Sequence, residues 1–174
     1  MKNKKSKERF AVIAKYFFIL VISSMVGLIL LVGVSFLPTE KINNNVKKDI
    51  NQLYQETSYF SAFGGNVLGT KQDNYTEAIY LGQILIGDGM QGRLNSALNG
   101  YYIYGTGDLV DDLYKYISGD DSASIVPLEH FWNGWLTILK PMFMFMTYSQ
   151  IRMFNLTVHS LLLFTLLVML RKKT

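Results

Sequence analysis

Two long hydrophobic runs, one near each end of the chain, dominate the pattern of polar and apolar positions. Residues 16–37 form about 22 consecutive positions without a charge, and residues 153–170 form about 18. A helix of about 20 apolar residues crosses the hydrocarbon layer of a bilayer, which is roughly 30 Å thick. The pattern therefore predicts two transmembrane helices, over residues 10–37 and 152–170.

Basic residues lie outside both runs and indicate how the helices cross the membrane. They are Lys2, Lys4, Lys5, Lys7 and Arg9 before the first run, and Arg171, Lys172 and Lys173 after the second. Lys and Arg beside a membrane helix are retained in the cytoplasm. We therefore expect a multi-pass protein of the cell membrane with cytoplasmic tails at residues 1–9 and 171–174. Residues 38–130 would then form an extracytoplasmic loop domain.

The first run has a second interpretation as a cleaved signal peptide. The apolar region of a signal peptide is about 7–15 residues long and ends at a site of small residues. The run here is longer and its best site is followed by the bulky Phe36, so we favour an uncleaved anchor. Gly27 and Gly33 permit close contact with another helix, although both also occur in ordinary lipid-facing helices.

Between the runs, the periodicity of apolar residues predicts short helices joined by glycine-rich turns. Val46, Ile50 and Leu53 indicate an amphipathic helix over residues 44–57. Further helices are predicted at 74–86, 90–99 and 109–118. The second of these four helices would begin at a capping box, and the last would begin at Asp108 and carry an Asp111–Lys115 pair. With little β-pattern, the fold class is an all-α membrane protein.

The hydrophobic stretch at residues 131–151 contains Lys140 and Pro141 and admits two interpretations. As a third span it would place one basic end outside the cell. As an interfacial helix it would lie at the headgroup boundary, where Trp132, Trp135 and Tyr148 are favoured and Lys140 can extend toward water. We favour the interfacial helix. Residues 142–146, which alternate Met and Phe, would then face lipid or a missing partner.

Composition excludes several classes of function. The net charge of +4 comes from the basic ends, while the central region carries Asp108, Asp111, Asp112, Asp120, Asp121 and Glu129. Basic ends suit contact with anionic lipid, so we expect no binding of nucleic acid. The absence of cysteine excludes disulfides and thiolate chemistry, and it favours a bacterial cell surface. No motif indicates a metal site or identifies a cofactor.

A few polar residues are candidates for chemistry at the outer membrane face. Asp73 and Glu77 stand one helical turn apart, and we take them together with His130 as candidate catalytic groups. Helix capping is the structural alternative for the two carboxylates, and a polar rim is the alternative for His130. Aromatic side chains at Tyr101, Tyr102, Tyr104 and Trp132 could stack on a sugar ring. His159, inside the second run, is interpreted as an interhelical hydrogen-bonding group rather than a functional one.

The order of these segments resembles the opening module of GT-C glycosyltransferases. Two sequences carry the resemblance, QDNYTEAIYL at residues 72–81 and EHFWNGWLTILKPMFMFMTYSQIRMFN at residues 129–155. Enzymes of this class take sugars from polyprenyl-phosphate carriers and hold a catalytic acid in their first outer loop. The resemblance implies that Asp73 is the base, supported by Glu77 or His130, and that a polyprenyl-linked sugar is the ligand.

The resemblance also implies many more spans than two. We therefore expect that this chain alone is not a competent enzyme and that it requires further membrane helices or a partner membrane protein. The alternative function is a non-enzymatic accessory subunit of the cell envelope. Such a subunit would bind partner transmembrane helices through its interfacial segment.

Overall fold

The computed structural model describes residues 2–61, 71–86, 92, 95, 98–128 and 133–171. Within these residues the chain forms seven helices and two strands. In chain order they are α1 (Lys2–Ser35), α2 (Thr39–Lys48), α3 (Ile50–Glu56), α4 (Asn74–Leu85), β1 (Gly100–Tyr104), α5 (Leu109–Ser118), β2 (Ser124–Leu128), α6 (Leu136–Phe143) and α7 (Tyr148–Arg171). The predicted helix at 90–99 falls mostly on residues outside the described ranges.

Two of the helices are long and apolar enough to cross a membrane, as the sequence predicts. They are Phe10–Ser35, with 26 residues and a mean hydropathy of 2.8, and Tyr148–Arg171, with 24 residues and a mean hydropathy of 2.0. Only 6% and 0% of their most apolar stretches are buried, so neither is the core helix of a soluble domain. The second helix is the stronger evidence for a membrane protein, because a signal sequence near the N-terminus would pass the same test of length and hydropathy as the first helix. It begins four residues earlier than the predicted boundary at 152.

The elements between these helices pack into one central domain, which comprises α2 to α6 and both strands. Helix α4 lies at its centre and contacts α2, α5 and β1. Leu53, Ile84 and Leu113 are fully buried where α3, α4 and α5 meet. Strand β1 packs on α4 at Gly82, which the Ile103 side chain covers. The core therefore fixes the position of α4 and of the side chains on either side of this helix.

The predicted helix at 44–57 is wrong in its bounds. It consists of two helices, α2 and α3, which meet at Asp49, and α2 begins directly after Pro38. The apolar stripe starts earlier than predicted, since Ile42 is buried together with Val46 and Ile50. Asp49 separates the two helices, and its side chain caps neither of them. It accepts a hydrogen bond from the backbone N–H of Ser149, at 2.8 Å.

The prediction of an all-α fold is corrected by a small β-sheet. Strands β1 and β2 pair antiparallel, with Tyr102 opposite Val126 and Ile103 opposite Ile125. Aromatic and β-branched residues fit a pleated, half-buried surface. Each apolar run in these two strands is only a few residues long, which is why the sequence shows little β-pattern. The fold is therefore mostly helical, with one two-stranded sheet.

Helix α5 agrees with its prediction from end to end. The Asp108 side chain accepts hydrogen bonds from the backbone of Val110 at 3.0 Å and Asp111 at 3.3 Å, which caps the helix. Gly119 ends it in the left-handed conformation, at φ +80°. The predicted pair forms, with 2.6 Å between Lys115 Nζ and Asp111 Oδ2.

The predicted interfacial segment at 131–151 divides into α6 and the start of α7. Helix α6 packs against α1 and α2, and the Asn45 side chain donates a 2.9 Å hydrogen bond to the carbonyl of Phe143. Phe143 and Lys140 are buried, so neither faces lipid or extends to the headgroups as expected. The expectation that the Met-Phe run faces outward holds for Phe145, which is 76% exposed.

Candidate functional site

A groove of about 410 Å³ lies between α4, α6 and α7. Its walls are almost wholly apolar, and its polar groups come from Glu77, Tyr148, Arg152 and Asn155. The apolar walls are formed by Tyr80, Leu81, Ile84, Ile138, Leu139, Met142, Phe143, Ile151 and Phe154. A concave apolar site of a few hundred Å³ with few polar groups is typical of a ligand pocket. This groove is the candidate site.

Glu77, on α4, lines the groove together with residues at the start of α7. The Tyr148 hydroxyl, at the start of α7, donates a hydrogen bond to the Glu77 carboxylate. Arg152 lies one turn further along α7, with its guanidinium 5.1 Å from the centre of the Tyr148 ring. Spacing of four residues places Tyr148 and Arg152 on one face of the helix, where both line the groove together with Glu77. One end of the groove is therefore polar.

A second carboxylate holds the arginine in place. Arg152 Nη1 lies 2.7 Å from Glu56 Oε2, and the two side chains are only 21% and 13% exposed. Glu56 also accepts hydrogen bonds from Gln52 at 2.8 Å and from Asn74 at 3.2 Å. Three elements, α3, α4 and α7, thus share one polar network behind the groove. We call Glu56, Glu77, Tyr148 and Arg152 the polar cluster.

The environment raises the pKa of the Glu77 carboxyl group above its usual value. Burial is the main cause, since it disfavours the charged form. The positive charge of Arg152 opposes the shift, whereas the negative charge of Glu56 adds to it. A carboxyl group of raised pKa can both donate and accept a proton closer to neutral pH. Glu77 is thus chemically suited to acid–base work or to hydrogen bonding with a ligand.

The structure gives Asp73 a role different from that of its predicted partner Glu77. Asp73 is exposed, and its side chain accepts hydrogen bonds from the Thr76 backbone at 3.0 Å and from the Thr76 hydroxyl at 2.6 Å. It is the N-cap of α4, whereas the capping box in the sequence predicts Asn74 at that position. Asn74 is instead fully buried and donates a 2.8 Å hydrogen bond to the carbonyl of Thr57. Capping therefore accounts for Asp73 but leaves Glu77 without a role in capping.

The predicted tyrosines lie away from the groove, on strand β1. Tyr102 and Tyr104 share one face of the strand, with ring centres 6.1 Å apart, and Tyr101 points to the other face. The hydroxyl of Tyr101 accepts a 2.7 Å hydrogen bond from Asn95. None of the three lines the groove. His130 and Trp132 lie outside the described residues.

His159 contacts its own helix rather than a neighbour. Its Nδ1 lies 2.9 Å from the carbonyl oxygen of Asn155, four residues earlier in α7. Among the described residues, no three His, Asp or Glu side chains are grouped to hold a metal ion.

Sequence reasoning missed Glu56, Tyr148 and Arg152. A signal for the last two was present, because a tyrosine and an arginine four residues apart stand directly before the second hydrophobic run. Glu56 carried no signal, since it lies 96 residues from Arg152 along the chain.

The comparisons with known proteins found no match. No protein-family model matches the chain, and neither a curated protein nor a solved structure does.

Proposed function

We propose that this protein is a bacterial cell-envelope membrane protein that holds the hydrocarbon chain of a lipid in the groove between α4, α6 and α7. The observation that carries the proposal is the groove itself, whose apolar walls continue along the membrane-spanning helix α7. Ile151 and Phe154 belong both to the groove and to that helix. A lipid chain could therefore enter sideways without leaving an apolar environment.

The polar cluster would face the first polar groups of such a lipid. Arg152 offers a positive charge, and Glu77 and Tyr148 offer hydrogen bonds. A polyprenyl-linked sugar is the lipid to test first, because the resemblance to GT-C glycosyltransferases implies that ligand. In a transferase assembly Glu77, rather than Asp73, would be the acid–base group, since Glu77 lies in the groove and Asp73 caps a helix.

The proposed orientation places both termini in the cytoplasm and the central domain outside. The basic residues at the two ends support it. The groove would then open at the outer headgroup boundary, where lipid-linked sugars are used by enzymes of the GT-C class.

A second candidate function is an accessory subunit that docks against partner transmembrane helices. Two large apolar residues around α6 favour it, because Ile138 is 66% exposed and Phe145 is 76% exposed. Contiguous exposed apolar patches mark interaction surfaces, and the docking proposal requires Ile138 and Phe145 to belong to one. Lipid binding and docking both fit the expectation that the chain works with further membrane helices.

The test of the lipid groove uses a photoreactive polyprenyl phosphate and the purified protein in nanodiscs. We expect crosslinks to concentrate on the groove walls, as located by peptide mass spectrometry. Met142→Trp should reduce these crosslinks by filling the groove. Met153→Trp is the matched control, because Met153 is an exposed methionine of α7 that does not line the groove.

Two outcomes would contradict the proposal. One is crosslinking spread evenly over all exposed apolar residues of α1 and α7, as ordinary surrounding lipid would give. The other is an equal effect of the two tryptophan variants. A further arm adds an excess of unlabelled phosphatidylglycerol or unlabelled polyprenyl phosphate. If both reduce the crosslinking equally, the ligand is an ordinary acyl chain rather than the polyprenyl chain.

A further inference from the structure

Four tyrosines from three separate segments meet on the side of α4 opposite to Glu77. The rings of Tyr59 and Tyr75 are parallel within 6°, with centres 6.3 Å apart. The rings of Tyr102 and Tyr104 lie edge to face, with centres 6.1 Å apart. We call these four residues the tyrosine face. Tyr75 and Glu77 are two residues apart on α4, which places them on opposite sides of the helix.

Negative charge lies beside the tyrosine face. The pKa of the Tyr75 hydroxyl is raised, first by burial and then by its neighbours Tyr59, Tyr102, Tyr104 and Asp108. Contacts around Ser58 and the packing of β1 on α4 bring these groups together, because the Ser58 carbonyl accepts a 3.2 Å hydrogen bond from the Tyr75 backbone N–H. The Ser58 hydroxyl, next to Tyr59, donates a 2.7 Å hydrogen bond to Asp108, which fixes the carboxylate near the rings.

The electron-rich rings of the tyrosine face are not covered by a cation from the described part of the chain. The cation–π contacts found there join Lys41 to Phe145, at 5.3 Å, and Arg152 to Tyr148, at 5.1 Å. Two of the four rings are open to solvent, since Tyr59 is 58% exposed and Tyr104 is 43% exposed. Electron-rich aromatic faces beside a carboxylate suit a positive charge.

We propose that the tyrosine face binds an organic cation of the quaternary ammonium class. Such a cation is attracted to the faces of tyrosine rings and is weakly hydrated, so it gives up little solvation on binding. The charge of Asp108 would add to the attraction. This site is separate from the lipid groove and does not depend on it. A neutral sugar ring is the competing ligand, because tyrosine rings also stack on sugars.

The experiment measures tetramethylammonium binding by fluorine NMR of protein labelled with fluorotyrosine, in detergent micelles. We expect saturable shifts of the Tyr59 and Tyr104 resonances, assigned from single variants. Sodium chloride at equal ionic strength is the control for salt effects. Methyl glucoside is the comparison ligand. Absence of a saturable shift with tetramethylammonium, or saturation with methyl glucoside alone, would overturn the proposal.

Matched variants distinguish a ring face from a hydroxyl group. Tyr104→Leu should weaken the affinity about two- to fivefold, which is typical of one exposed cation–π contact. Tyr104→Phe should keep most of the affinity, because the ring remains. Asp108→Asn should weaken it while retaining the cap of α5, since Asn and Asp cap equally well. Equal losses in Tyr104→Phe and Tyr104→Leu would contradict cation–π binding.

A last arm separates the two sources of such a cation. In nanodiscs of phosphatidylcholine the headgroups carry the same trimethylammonium group, and in nanodiscs of phosphatidylglycerol they do not. Suppression of tetramethylammonium shifts only in phosphatidylcholine would identify a lipid headgroup as the ligand. Equal shifts in both would identify a soluble cation.

Discussion

Replacing Arg152 with methionine tests whether the polar cluster is held together by its single positive charge. The methionine keeps an apolar stem of similar length and removes the guanidinium. The side chain at this position then no longer pairs with Glu56, which lies 2.7 Å from the arginine, and no longer offsets the charge of Glu77. Two partly buried carboxylates would remain without a cation.

The expected loss of stability follows from the burial of the pair. Breaking a fully buried ion pair costs about 3–5 kcal/mol, whereas an exposed pair contributes about 0–1 kcal/mol. The Arg152 and Glu56 side chains are 21% and 13% exposed, which places the pair between these two cases and nearer to the buried one. We therefore expect Arg152→Met to lower the free energy of unfolding by about 2–4 kcal/mol at neutral pH. Adding Glu56→Gln should restore much of the loss, because one unpaired charge is removed.

The loss should depend on pH in a defined direction. The pKa of Glu77 is already raised in the folded protein, and removing Arg152 raises it further. A carboxyl group whose folded pKa exceeds its unfolded pKa stabilises the fold below the unfolded value and loses that contribution as pH rises through the folded value. The variant should therefore be most destabilised at neutral pH and approach the wild type at acidic pH.

Equilibrium unfolding in mixed detergent micelles, followed by tryptophan fluorescence, measures these differences. Lys115→Met is the control, since it removes the more exposed ion pair with Asp111 and should change stability less. The reasoning is refuted if Arg152→Met and Lys115→Met cost the same. It is also refuted if Glu56→Gln fails to rescue Arg152→Met, or if the loss is unchanged at acidic pH.

Two further predictions concern the cap of α4 and the orientation of the chain. Asp73→Asn should leave stability and any function of the complete system nearly unchanged, because Asn caps as well as Asp, whereas Asp73→Ala should cost about 1 kcal/mol. Thermal unfolding and an activity or lipid-binding assay check this pair, and loss of function in Asp73→Asn alone would return Asp73 to the catalytic site. Cysteines placed at the exposed positions Gln55 and Ser122 should react with an impermeant maleimide in intact cells, since both lie in the central domain and the chain has no native cysteine. Labelling only after lysis would show that the domain is cytoplasmic.

The sequence was sufficient for features set by local composition. The two long apolar helices are predictable because about 20 consecutive apolar residues, enough to match the thickness of the hydrocarbon layer of a bilayer, stand out in the sequence. Helix α5 is predictable because Asp108, its apolar face and Gly119 all agree. In each case the signal lies within one element, so no knowledge of the rest of the fold is needed.

Features set by contacts between distant segments could not be predicted. Strand β2 becomes a strand because residues 124–128 meet β1, and their own pattern is too short to indicate this. The carboxylates of α4 show the same limit. Asp73 and Glu77 looked alike in sequence, but only the arrival of Tyr148 and Arg152 from α7 makes Glu77 part of a site. Spacing showed that the two residues share a face, and it could not show which one meets a neighbour.

The bond between Asp49 and Ser149 has a consequence for how the protein is made. The first backbone N–H groups of a helix lack partners within it. At the start of α7, the Ser149 backbone N–H donates to the Asp49 carboxylate, which lies 100 residues earlier in the chain. The Ser149 hydroxyl donates a 2.6 Å hydrogen bond to the side-chain oxygen of Gln52. Segments emerge from the ribosome in chain order, so α2 and α3 must wait for the final helix before their polar groups are matched. The polar contacts that join Asp49 and Gln52 to α7 therefore form only after Ser149 has been synthesised. A chain stalled before residue 148 would have neither the groove nor its arginine.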